Sequence, residues 1–251
     1  MVGTVVLTEV LEFSITACMR MLLPFLSLTC LASISPAQKR GPMTPIVDVP
    51  DLPRVLLIGD SISIGYTLPA RAALQGVANV HRISTNGGPT SKGLQHLESW
   101  VGKKKWDVIH FNWGLHDLCY RHPESKTQGK RDKLKGQVAH SVEEYAANLE
   151  ELVRRLKRTK ARLIFATTTP VPEGEAGRKV GDDLRYNQAA LVVMKKHRVS
   201  VNDLHAVMAG KMDEFAVRPG NVHFKPEGSV LLGEHVAQAV RGALATVGKR
   251  D

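Results

Sequence analysis

Ser61, His116 and His223 are the side chains of this 251-residue chain whose surroundings suit nucleophilic and acid–base chemistry. Ser61 closes the run Gly59-Asp60-Ser61, directly behind the apolar segment Val55-Leu56-Leu57-Ile58. A serine hydroxyl is a weak nucleophile at its free pKa and needs a hydrogen-bonded base, which an imidazole supplies. Placed after a buried strand, such a serine reaches the carboxyl edge of a sheet, where open α/β folds hold their ligands. Gly59 permits the sharp turn, and a helix starting at Ser61 aims N–H groups at a developing oxyanion. The plainer reading is that Asp60 and Ser61 only cap a helix.

The elements that must position these groups alternate along the chain. Strands are expected at 54–58, Asn79 to Ser84, Trp106 to Asn112, Leu163 to Thr168 and Val199 to Asn202. Helices are expected from Ser61 through Leu74, from Gly93 to Val101, after Ser141, from Asp182 to about His197, and from Pro226 to Val247. Ser141 and Glu144 have the spacing of a capping box, and Leu149, Leu152 and Leu156 share one face of the helix it opens. Residues 118–140 read as an irregular basic insertion. Strand–helix alternation implies a parallel sheet with helices on both faces.

Four segments then fall at strand ends or in late loops: Gly59-Asp60-Ser61, Asn86-Gly87-Gly88, Gly114-Leu115-His116-Asp117 and Asn221-Val222-His223. Their order resembles the SGNH hydrolases, also called GDSL-type esterases, from about Arg54 to the C-terminal helix. The resemblance implies a flavodoxin-like three-layer α/β/α sandwich with a five-stranded parallel sheet, which agrees with the independent strand count. It also implies Ser61 as nucleophile, His223 as general base, and the Ser61 and Gly88 N–H groups as oxyanion donors. Plain turn chemistry is the other account of Asn86-Gly87-Gly88-Pro89.

Two positions depart from that pattern. His116 stands where the family has asparagine, and its imidazole can still donate to an oxyanion. The alternative is that His116 only packs and that Asn112 or backbone groups donate. Asp117 keeps the family's adjacent acid, expected to brace the loop. In the last block Gly220 replaces the acid expected three positions before His223. A backbone carbonyl, the Asn221 side chain or Asp203 must then orient the ring, or the enzyme works as a serine–histidine dyad.

Composition narrows the remaining classes. The formal net charge is +10, from 34 Lys and Arg against 24 Asp and Glu. Lys103 to Lys105 and the stretch Lys126 to Lys135 carry much of the excess. Neither is interleaved with aromatics, so no nucleic-acid partner is expected, while attraction to anionic polysaccharide stays open. His110, Asp117, Cys119 and His122 cluster near His116 without a zinc-site spacing, so no metal is expected, and no cofactor. The Gly-x-Gly-x-x-Gly of dinucleotide binders and the Gly-x-Ser-x-Gly elbow are both missing.

The N-terminus reads as a signal peptide over residues 1–37. Arg20 precedes the apolar stretch Leu22 to Ala32, and Ser35-Pro36-Ala37 resembles a cleavage site. Translation starting at Met19 or Met21 would account for the uncharacteristic first eighteen residues. Residues 38–52 then form a linker and 53–251 the hydrolase domain. Cleavage would leave Cys119 alone, which excludes an internal disulfide, and stable membrane insertion is not expected. The expected product is a secreted or periplasmic serine esterase acting on acetyl or short acyl esters, on carbohydrate because aromatics make up only 5% of the chain and no apolar lid is visible. The alternatives are a catalytically silent glycan-binding module on the same fold and a lipid-directed, lysophospholipase-like esterase. The oligomeric state is not readable.

Overall fold

The run Arg54–Ile58 (β1) has Val55 to Ile58 buried, the pattern of a strand covered on both faces. In the computed structural model, which describes residues 41–124 and 130–245, it lies inside a five-stranded parallel sheet. Its companions are Asn79–Arg82 (β2), Val108–Phe111 (β3), Arg162–Ala166 (β6) and Ser200–Asn202 (β7), in the order β2-β1-β3-β6-β7. Register is direct: Leu57 pairs with Arg82 on one side and His110 on the other, and Phe111 pairs with Phe165. The order is flavodoxin-like, and the chain reverses its winding direction between β1 and β3.

Helices cover both faces. Ser61–Ala73 (α1) packs on Pro226–Ala245 (α7), while Thr90–Val101 (α2), Val142–Lys157 (α3) and Asp182–His197 (α4) pack in series. Ser141 forms the expected capping box with Glu144. From α3, Tyr145, Leu149, Leu152, Val153 and Leu156 are buried, the i, i+3, i+4, i+7 stripe of an amphipathic helix.

Several boundaries differ from the sequence reading. β2 stops at Arg82, whose side chain bonds to Gly59 O and Asp60 O at the β1–α1 junction. β3 begins at Val108; ahead of it the Arg54 guanidinium lies 4.1 Å from the Trp106 ring centre, and the Trp106 indole N–H donates to Val101 O. The described parts of the insertion, 118–124 and 130–140, contain a two-stranded antiparallel ribbon, Tyr120–Arg121 (β4) with Gln137–Val138 (β5). Two short helices, Leu204–Met208 (α5) and Met212–Phe215 (α6), follow β7 without a periodic signal. The stretch 41–52 is strapped to the β2 edge: Val49 N–H donates to Asn79 Oδ1, and Asn79 Nδ2 donates to Val49 O. The expected signal peptide lies outside the described residues. Among the described residues no helix is long and apolar enough to cross a membrane.

Candidate active site

Ser61 is the first residue of α1, immediately beyond β1. Asp60 caps the helix by accepting the Ile62 N–H at 2.9 Å, so the capping role foreseen for this turn falls to Asp60, while the Ser61 side chain lines a cavity. The turn is held from below by Arg82. Its Nη2 donates to Gly59 O, Asp60 O and Ser63 Oγ, and its Nη1 to Ile83 O and Thr85 O. One guanidinium thereby fixes the β1–α1 turn against the loop that follows β2. Its five donors in a rigid fork suit this work better than an ammonium would.

His223, in the loop before α7, has Nε2 2.8 Å from Ser61 Oγ. These two residues are 162 positions apart in sequence. Asn221 Oδ1 lies 2.9 Å from both the His223 backbone nitrogen and its Nδ1. The backbone N–H must donate, which fixes the amide oxygen as acceptor and places the ring proton on Nδ1. Nε2 is then an acceptor facing the Ser61 hydroxyl. Burial is the main influence lowering the His223 pKa; Arg178 and Arg131 act in the same direction, while Asp60 and Glu175 oppose.

Of the groups weighed as ring orienter, Asn221 holds the position. Asp203 is spent elsewhere, accepting from Ala206 N–H and Thr167 Oγ1. Gly220 cannot be replaced by an acid without strain. It adopts φ +69°, and a Cβ there would stand 2.8 Å from Gly174 O.

His116 lines the same cavity as Ser61 and His223, with Asp60, Asn86, Leu115, Val222 and three arginines completing a space of about 330 Å³. Burial lowers the His116 pKa, which favours the neutral ring, and Nδ1 is enclosed without a partner. Asn112, the alternative donor, directs Nδ2 to Ala166 O at 2.7 Å and is occupied within the sheet. Asp117 braces its loop: both carboxylate oxygens receive the Thr90 N–H, and Oδ1 also receives the Thr90 hydroxyl. Gly88 differs from its expected placement. Its N–H donates to Asn86 Oδ1 at 2.9 Å and it does not line the cavity, because Asn86 closes an Asx turn on it. Asn86 itself does line the cavity.

The model of the GDSL-like lipase/acylhydrolase family matches residues 57–231, more than half of the chain and all but the edges of the sheet domain. The chain belongs to this family. It is therefore an ester-hydrolysing enzyme of the SGNH class. No curated protein sequence matches it. Among solved structures it is similar to a lipase/acylhydrolase from Enterococcus faecalis (TM-score 0.62, 20% identity, covering 76% of this chain and 96% of that one). It is similar also to the acetyl xylan esterase AlAXEase (TM-score 0.59, 15% identity, 74% and 99% covered). A third is the acetylxylan esterase of Geobacillus stearothermophilus (TM-score 0.59, 18% identity, 75% and 94% covered). At these identities the likeness establishes the α/β/α fold.

In this GDSL-family hydrolase the residues weighed as a metal cluster separate. His110 is enclosed at the end of β3, where burial pushes its pKa down to about 4, and Nε2 faces the Asn202 amide. Cys119 is buried in the core of its loop. Among the described residues no three His, Cys, Asp or Glu side chains converge as ligands would. A second serine–histidine contact exists, Ser91 Oγ to His140 Nε2 at 2.9 Å, but neither residue lines the cavity beside Ser61.

Sequence reading missed Arg82 and the three cavity arginines, Arg121, Arg131 and Arg178. The basic excess of the insertion was visible as composition. Which of its charges turn toward Ser61 depends on the β4–β5 ribbon, which no pattern in so short a segment announces.

Proposed function

We propose that Ser61 is the nucleophile, activated by His223, and that ester hydrolysis proceeds through an acyl-enzyme. The 2.8 Å contact between Ser61 Oγ and His223 Nε2, inside an open cavity at the sheet's switch point, carries this reading. Ser61 Oγ bonds to the carbonyl carbon as its proton passes to Nε2. His223 then returns the proton to the departing alcohol, and a water deprotonated by the same ring releases the acid. Asn221 holds the tautomer that leaves Nε2 able to accept. The developing oxyanion is met by the Ser61 N–H, one of the helix-start donors without an intrahelical acceptor, and by His116. With Nδ1 enclosed, His116 donates through Nε2.

The preferred substrate in this reading is an acetyl or short acyl ester on carbohydrate. Polar walls support it: among the described residues Leu115 and Val222 are the only aliphatic ones lining the cavity, which leaves little surface for a long acyl chain. The acetyl xylan esterases among the structural neighbours support it further. Ser61→Ala should lower kcat by roughly 10³-fold or more with unchanged folding. Comparable turnover by the purified variant would end the serine mechanism. On a panel of 4-nitrophenyl esters and acetylated glycans, short chains should lead, and preference for long chains would favour the lipid-directed alternative.

Export is proposed on the pattern of Arg20, the apolar stretch behind it and Ser35-Pro36-Ala37. Secreted or periplasmic protein should then show an N-terminus at or near Gln38. Cytoplasmic protein that keeps residues 21–37 would contradict it.

A further inference from the structure

Asn86 is held beside the nucleophile's turn because two backbones touch there. Gly87 N–H donates to Gly59 O at 2.9 Å, and a Cβ on Gly87 would stand 2.9 Å from that same oxygen. The loop after β2 is thereby pressed against the turn that delivers Ser61. Arg82 ties the two together, with Nη1 on Thr85 O and Nη2 on Gly59 O. Lys92, near the start of α2, holds the Asn86 carbonyl through Nζ at 2.8 Å. Anchored in this way, Asn86 lines the cavity with Ser61, His116 and His223.

One bond fixes which way its amide faces. Gly88 N–H can only donate, so the atom that receives it at 2.9 Å is Oδ1. The Nδ2 group is then turned away from Gly88. Among the described residues no acceptor takes either of its protons, and unlike His116 Nδ1 it is not sealed from solvent. Asn112, by contrast, spends its Nδ2 on Ala166 O.

The same bond withdraws the donor expected from this loop. Gly88 N–H is committed to Asn86 Oδ1, and Gly88 does not line the cavity. A backbone donor is thus removed, and an amide donor two residues earlier is left with its protons available. Acyl transfer places a negative charge on the former carbonyl oxygen, and each donor fixed in advance toward that oxygen lowers the barrier.

We propose that Asn86 Nδ2 is a third oxyanion donor, doing the work expected of the Gly88 N–H beside the Ser61 N–H and His116. This rests on the reading of Ser61 and His223 as the reaction centre. The two halves of the amide have separate tasks: Oδ1 sets the orientation by accepting from Gly88, and Nδ2 meets the developing charge.

Variants can separate those halves. Asn86→Asp keeps an acceptor for Gly88 N–H and loses the donor. Asn86→Ser also keeps an acceptor, through the serine version of the same turn, and adds no charge; its hydroxyl ends one bond short of Nδ2. With the purified full chain and 4-nitrophenyl acetate, both should lower kcat by about 10²–10³-fold with KM little changed. Asn86→Asp should be the worse of the two, because its carboxylate repels the oxyanion. Phenylboronic acid reads the same contact without turnover. Ser61 Oγ bonds to boron as its proton passes to His223, which leaves a tetrahedral anion at the reaction centre. Its inhibition constant should rise in both variants by a factor comparable to the loss in kcat. In the wild-type protein one Asn86 Nδ2 proton should move downfield in the NMR spectrum when this adduct forms, a readout that no folding defect in a variant can remove.

Wild-type kcat and boronate affinity in Asn86→Ser would overturn the proposal. So would an Nδ2 resonance that the boronate leaves in place. If Asn86→Ser regains what Asn86→Ala loses, Asn86 only holds the turn, and the proposal is again overturned. Each of these results, with wild type still active, leaves the esterase reading intact. If wild type turns over no ester and Ser61 is not labelled by an organophosphonate, the reading of the reaction centre falls, and this proposal with it.

Discussion

Asn221 Oδ1 accepts twice from His223, once from its backbone N–H and once from its ring Nδ1, at 2.9 Å each. An amide here can do the orienting work of a carboxylate because its flip is blocked. Rotating it would set the NH₂ group against two donors. What the amide lacks is charge, so it steers the tautomer without stabilising the imidazolium that forms.

The pH dependence follows from that difference. His223 must be neutral to accept the Ser61 proton, and burial lowers its pKa. The acidic limb of kcat/KM should therefore fall below the free histidine value of about 6.5. Asn221→Asp places a carboxylate on Nδ1, which stabilises the imidazolium and should move the limb to higher pH by about one unit or more. A limb that does not move in the variant would mean that Asn221 is not the group that governs the ring.

His116 should behave as an oxyanion donor rather than a packing residue. Loss of one such donor costs about 2.7–4 kcal/mol, or roughly 10²–10³ in kcat. His116→Ala should lower kcat more than it raises KM, and His116→Asn should recover a good part of the loss. Wild-type kinetics in both variants would move the donor elsewhere.

Asp117 is fully buried, and burial pushes its pKa up to about 7 against the opposing hydrogen bonds from Thr90. A carboxyl with a raised folded-state pKa keeps its proton more readily folded than unfolded. Its contribution to stability is complete below the unfolded value of about 3.9 and is lost as pH rises through about 7. Unfolding by urea at pH 5 and pH 8 should show wild type losing stability across that interval, on the order of a few kcal/mol at most. Asp117→Asn, which cannot ionise, should lose less. His140 Nε2 lies 3.9 Å from Asp117 Oδ1, and burial lowers its pKa, so the difference between the two proteins is the quantity to read. An identical pH dependence would show that Asp117 does not titrate there.

The parts of this enzyme that sequence determined are those set by local chemistry. Val55 to Ile58 must be buried on both faces, Gly59-Asp60 must turn and cap, and Ser141 with Glu144 must open a helix, whatever lies around them. Alternating strand and helix patterns then leave little choice of architecture, and the four blocks follow the strand ends. Tertiary structure decided everything that depends on distance across the chain. Asn221 as ring orienter, Asn112 held by Ala166, Gly88 held by Asn86 and Arg82 beneath the turn are matters of which donor meets which acceptor. Several arrangements satisfy the same residue types, and only packing selects one. The arginines of the cavity illustrate the same limit. A cation on a surface loop and a cation aimed at the nucleophile have the same sequence signature, and they differ only in the ribbon that points Arg121 and Arg131 inward.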